Sequence, residues 1–66
     1  MAKVGTVVRI IDMQGEPHYN GKTGTITHVS EGYTPAHIEE QWYGTWGGLA
    51  IQPWRDKIEI LEEPVD

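Results

Sequence analysis

Three histidines are the residues of this 66-residue chain whose type suits a metal site: His18, His28 and His37. Together with one carboxylate they would supply enough ligands for zinc. Their spacing matches no pattern of zinc ligands, and all three lie in or near predicted turns. We therefore interpret them as solvated surface side chains and predict neither a metal site nor a cofactor.

Residues for nucleophilic catalysis are sparse. Ser30 is the only serine, and the chain has no cysteine. His28 and Glu31 lie close to Ser30 in sequence, but neighbours along a strand point to opposite faces. No nucleophile elbow or phosphate-binding loop occurs. We expect a protein that binds and does not catalyse.

Tyrosine and tryptophan are the best candidates for recognition, because they offer large, rigid contact area at low entropic cost. The predicted partner-binding residues are Tyr19, Tyr33, Tyr43, Trp46 and Trp54. Of these, Tyr19, Tyr43 and Trp54 are expected to converge on a groove between the first loop and the last turn. The alternative is that the rings cap the ends of a small core, the role expected of Trp42.

Charge narrows the choice of partner. The net charge is −5, with ten acidic and five basic residues, which argues against nucleic acid, since phosphate binding requires clustered Lys and Arg. A second hypothesis uses the acidity itself, as a patch that competes with nucleic acid for the basic channel of an enzyme. The residues of this acidic patch are Glu39, Asp56, Glu59, Glu62 and Glu63.

The elements that must position these residues are short strands separated by turn signals. β-branched residues, alternation and Gly, Pro or Asn between the segments predict five strands. They cover residues 3–12, 22–30, 36–43, 46–52 and 57–61. A helix is the rival interpretation for 36–43. A bulge or strand end is expected near His28, and a short 3₁₀ turn at 53–56.

Five such strands predict one small all-β barrel over residues 1–61, followed by an acidic C-terminal tail at 62–66 that is expected to fray. Its core is predicted from the inward positions of the strands. They are Val8, Ile10, Ile26, Val29, Ile38, Trp42, Leu49, Ile51, Ile58 and Ile60.

Residues 21–29, Gly-Lys-Thr-Gly-Thr-Ile-Thr-His-Val, resemble the KOW-type hairpin of SH3-like barrels. The first strand, Val-Val-Arg-Ile-Ile, and the ending Gly-Leu-Ala-Ile-Gln-Pro before Asp-Lys-Ile-Glu-Ile-Leu are similar to the same family. Its members are short domains of bacteria, phages and mobile elements. The resemblance implies an SH3-like barrel with a binding role, and it brings no catalytic residue.

The leading hypothesis is a non-enzymatic protein-binding module, encoded by a phage or mobile element. The alternatives are an acidic inhibitor of a nucleic-acid enzyme, of the anti-CRISPR or anti-defence type, and a weak RNA- or DNA-binding KOW-like domain. No apolar run approaches a membrane span and no signal peptide is recognised, so a cytoplasmic location is expected. The expected assembly is a monomer or a homodimer.

Overall fold

The computed structural model describes residues 3–30 and 40–65. Its elements are β1 (Val7–Asp12), a 3₁₀ helix (Pro17–Tyr19), β2 (Thr23–Ser30), β3 (Gln41–Gly44) and β4 (Lys57–Glu62). The all-β prediction is confirmed for this part of the chain. The end of the segment 36–43 is strand, and residues 36–39 lie outside the described residues. No helix in these ranges is long and apolar enough to cross a membrane.

The four strands form one antiparallel sheet in the order β3-β2-β1-β4. Strand β2 has two neighbours along its length, because Thr25 pairs with Val7 of β1 while Ser30 pairs with Gln41 of β3. The sheet is not closed within the described residues, so the five-stranded barrel is reduced to a four-stranded sheet.

The predicted strand at 46–52 is wrong for most of its length. Only Ile51 pairs, in an isolated bridge in which it exchanges two backbone hydrogen bonds of 2.8 Å with Trp42. The segment before it bends at Gly48 and Leu49, directly after Gly47, whose φ of 149° is in a region that L side chains rarely adopt. A continuous extended run therefore cannot form there.

The expected irregularity near His28 is confirmed. The register between β2 and β3 shifts between Ile26 and His28. An extra residue at this point changes the alternation of side chains, so buried Ile26 and partly buried Val29 both pack against the core.

The 3₁₀ helix lies in the first loop and not before the last strand, where it was expected. Residues 52–56 instead form a hydrogen-bonded turn. The N–H groups of Arg55 and Asp56 both donate to the carbonyl of Gln52, over 2.8 and 2.7 Å.

The core agrees with the predicted set only in part. Its buried residues are Val8, Ile10, Met13, Ile26, Trp42, Trp46 and Ile51, with Tyr19, Val29 and Ile58 packed against them. Leu49 and Ile60 were expected inside but are 37% and 42% exposed. Leu49 lies in the bend after Gly47, and Ile60 lies on an edge strand beside a bulge. Ile38 lies outside the described residues.

Trp46 corrects the sequence prediction most clearly. It was expected on the surface as a partner-binding residue, but it is only 4% exposed. Its ring packs against the backbone of Gly24 and Gly44, where a Cβ atom would collide with it. Its indole N–H donates to the carbonyl of Leu49 over 2.7 Å. The side chain therefore belongs to the core.

Candidate functional site

An open groove of about 480 Å³ lies between the first loop (residues 13–22) and the last turn (residues 52–56). Residues 13–16 line it from the first loop, and Gln52 and Arg55 line it from the last turn. Strand β3 adds Gln41 and Tyr43, and the segment before Ile51 adds Leu49 and Ala50. Of the three aromatic residues expected to converge between these two turns, only Tyr43 lines this groove.

A buried carboxylate connects the two sides of this groove. The side chain of Asp56 is 0% exposed. Its Oδ1 accepts from the backbone N–H of Gln14 over 3.0 Å, and its Oδ2 accepts from the backbone N–H of Gln52 over 2.9 Å. The Nε–H of Arg55 donates to Oδ1 over 2.9 Å. The first loop is thereby fixed to the last turn, and we call this arrangement the Asp56 clamp.

The first loop also has bonds of its own. The side-chain oxygen of Asn20 accepts from the N–H of Met13 over 2.8 Å. The N–H of Gly21 donates to the carbonyl of Ile10 over 2.7 Å, which holds the loop to β1. Gly15 adopts a φ of 84°, a conformation that glycine reaches without steric cost. The loop is therefore an ordered wall of the groove.

Tyr43 and Trp54 are the two predicted aromatic residues that are exposed in the described part of the chain. Tyr43 is 39% exposed, and its side chain lines the groove. Its hydroxyl donates to Oε1 of Gln41 over 3.2 Å, and its ring centroid lies 5.8 Å from that of His28. Trp54 is 58% exposed and directly precedes the groove residue Arg55. Both rings remain accessible to a partner.

The other predicted aromatic residues are not brought to the groove. Tyr19 is half-buried, packs against the core, and lies so close to Gly47 that a Cβ there would come within 2.8 Å of the ring. The ammonium of Lys22 lies 5.0 Å from the centroid of this ring. Trp46 is buried, and Tyr33 lies outside the described residues.

The predicted acidic patch is not assembled as expected. Asp56 is buried in the clamp, so it contributes no surface charge. Glu59 forms an ion pair of 3.0 Å with Arg9 on the exposed face of the sheet. Glu62 and Glu63 are exposed at the end of β4, and Glu39 lies outside the described residues.

The histidines do not gather into a metal site in the described ranges. His18 lies 3.3 Å from a carboxylate oxygen of Glu16, and His28 lies beside Tyr43. No group of three or more possible ligands occurs among the described residues. His37 is not one of them.

The sequence interpretation placed Asp56 in a surface patch and did not predict that it is buried and hydrogen-bonded. It also did not predict the polar residues that line the groove, which are Gln14, Gln41 and Gln52. A signal for Asp56 was present, because an aspartate at the end of a Pro-containing turn is well placed to accept backbone N–H groups. Leu49 was expected in the core because the sequence of 46–52 predicts one continuous strand.

No family model matches this chain, and neither a curated protein nor a solved structure matches it significantly. Its function is therefore inferred from the groove and its surroundings.

Proposed function

We propose that this chain is a non-enzymatic protein-binding module and that its binding site is the groove between the first loop and the last turn. The observation that carries the proposal is the Asp56 clamp, which holds both walls of an open groove in place before any partner arrives. A preformed site binds with less loss of conformational entropy than one that must be ordered on binding.

The proposal includes an SH3-like barrel. Support comes from the way β2 pairs with two neighbours, and from Ile51, which pairs with Trp42 of β3 in an isolated bridge. Residues 21–29, which resemble a KOW-type hairpin, lead into β2 and cover most of it. Origin in a phage or mobile element, a cytoplasmic location and a monomer or homodimer belong to the same proposal.

Exposed apolar side chains at the groove supply the binding energy. Tyr43 and Leu49 line it, and exposed Trp54 precedes the lining residue Arg55 in the sequence. Because each is already partly buried, a partner that covers it gains on the order of 1–2 kcal/mol per side chain. Aromatic anchors of this kind commonly dominate protein interfaces.

The charges at the groove favour a protein over nucleic acid. Arg55 is the only cation among the described residues that line it, and its guanidinium is bound to Asp56. Within the described ranges neither charged alternative gains support, because Asp56 is buried, Glu59 is paired with Arg9, and the lining of the groove has no cluster of basic residues.

Two leucines of nearly equal exposure give a matched test. Leu49 lines the groove and is 37% exposed, whereas Leu61 lies on β4 and is 40% exposed. The chain, Leu49→Ser and Leu61→Ser are immobilised and used to capture protein from a bacterial lysate, and circular dichroism confirms that all three are folded. The captured protein is identified by mass spectrometry and its affinity is measured in purified form.

We expect the wild type and Leu61→Ser to bind the same protein, and Leu49→Ser to bind it at least several-fold more weakly. The reverse pattern would place the interface on β4 and refute the groove. Capture of no protein by the wild type would also count against the proposal.

A further inference from the structure

All three glutamines of the chain line the groove, although they come from three separate elements. Gln14 belongs to the first loop, Gln41 to β3 and Gln52 to the last turn. From this placement we infer that the groove binds an extended, uncharged peptide segment and reads its main chain through these three amides. The inference rests on the proposed protein-binding function and specifies its ligand.

The chemistry of the side-chain amide matches that of a peptide main chain. A glutamine offers an acceptor oxygen and two N–H donors, and an extended peptide presents donors and acceptors alternately. The side chains of Gln14 and Gln52 make no hydrogen bond in the described part of the chain. Gln41 accepts from Tyr43, which leaves its NH₂ group to donate.

The apolar lining fits the alternating side chains of an extended ligand. Successive side chains of such a segment point to opposite sides, so those that face the groove meet the exposed side chains of Tyr43 and Leu49, or Ala50. Main-chain hydrogen bonds with pockets for alternate side chains are a recurring mode of peptide recognition.

The lining offers little net charge to a ligand. Its two charged side chains, Glu16 and Arg55, have opposite signs, and the guanidinium of Arg55 is already paired with buried Asp56. A charged ligand side chain would lose its hydration in the groove without a free opposite charge from Arg55 to compensate it. A neutral segment avoids this cost.

The test is selection from a display library of short linear peptides of random sequence. We expect enrichment of peptides with apolar and uncharged residues that bind the wild type and lose affinity for Leu49→Ser.

Replacing Gln52 by Met keeps the length of the side chain and removes its capacity for hydrogen bonds. Gln52→Met and Gln14→Met should each weaken binding about 2- to 10-fold, as expected for one net hydrogen bond. Thr23→Val, a polar change on β2 outside the groove lining, should leave it unchanged.

A second readout separates main-chain recognition from side-chain recognition. N-methylation of a contacting amide in the selected peptide should reduce affinity at least 10-fold while leaving every side chain in place. Equal binding by the methylated peptide and by the glutamine variants would overturn the inference but leave the groove as a protein-binding site. An empty selection would overturn it too, and capture with Leu49→Ser decides separately whether the proposed function survives. Groove-dependent retention of single-stranded RNA would replace the peptide by a different ligand.

Discussion

Asp56 is the residue on which the geometry of the groove depends. Burial of an ionised carboxylate is unfavourable unless hydrogen bonds and an opposite charge compensate it. Here two backbone N–H groups and the guanidinium of Arg55 do so. Removal of one partner from a buried, paired charge destabilises proteins far more than loss of a surface ion pair.

Asp56→Asn tests the clamp directly. The amide keeps the size of the side chain, but its NH₂ group would face one of the backbone N–H donors and leave it unpaired. We expect a loss of about 2–4 kcal/mol in the free energy of unfolding, measured by urea denaturation with tryptophan fluorescence. Glu59→Gln is the control, because its pair with Arg9 is exposed and is worth less than about 1 kcal/mol. Equal losses of unfolding free energy in both variants would mean that the clamp stabilises the fold no more than an exposed ion pair does.

The tryptophans Trp46 and Trp54 should respond oppositely to truncation. Trp46 is 4% exposed and Trp54 is 58% exposed. Truncation of a buried tryptophan costs about 3–5 kcal/mol, close to the roughly 3–10 kcal/mol available to a domain of this size. Trp46→Ala should therefore be largely unfolded, whereas Trp54→Ala should retain a dispersed amide NMR spectrum and bind partners more weakly. A Trp46→Ala variant that remains folded would contradict the conclusion that Trp46 is essential to the core.

At the level of elements, the start of β2 packs closely against residues 44–46, and this contact positions the Trp46 ring in the core. Gly24 and Gly44 lack side chains at the points where the Trp46 ring meets the backbone. Gly24 is thus required by the close approach of the Trp46 ring and not by an unusual φ.

Gly24→Ala should accordingly be destabilising. An added Cβ would lie 2.9 Å from the backbone nitrogen of Trp46 and 2.9 Å from Oγ1 of Thr45, and overpacking of this kind costs about 1–3 kcal/mol. Gly48→Ala is the matched control, because a Cβ there has no atom within 4 Å in the described structure. Thermal unfolding followed by circular dichroism compares the two. Similar melting temperatures would contradict the packing described for Trp46.

The strands could be predicted from the sequence where local chemistry decides their formation. β1, β2 and β4 follow runs of Val, Ile and Thr between glycine or proline turns, and the irregularity at Thr27 followed from the spacing of Ile26 and Val29. The conformation of the segment 46–52 was mispredicted, because it depends on where the Trp46 ring packs. No local pattern shows that this ring will pack against Gly24, which is distant in the sequence.

The groove could be predicted only in outline for the same reason. A groove between the first loop and the last turn was expected from the resemblance to SH3-like barrels and from aromatic residues near the turns, but of Tyr19, Tyr43 and Trp54 only Tyr43 lines the groove. The burial of Asp56 depends on Gln14, which is 42 residues away, and long-range contacts of this kind leave no periodic signal. The acidic composition did not show which carboxylates remain on the surface.

At the scale of the whole molecule, the net charge of −5 contrasts with a groove of nearly balanced charge. Binding through the groove should therefore depend little on salt. We expect the affinity for the captured partner to change less than about 3-fold between roughly 50 and 200 mM salt, whereas proteins that bind through many phosphate contacts lose about 10³–10⁵-fold. Fluorescence anisotropy across a salt series measures this. A steep decrease would support the acidic-inhibitor hypothesis instead.

The separation of the clamp's two ends also affects how the protein is made. Gln14 emerges early from the ribosome. Asp56, whose Oδ1 accepts the hydrogen bond from the N–H of Gln14, is synthesised 42 positions later, just ahead of β4. A nascent or prematurely terminated chain that ends before this aspartate lacks the hydrogen bonds that join the first loop to the last turn. Such truncated products should therefore not display the assembled groove or compete for a partner.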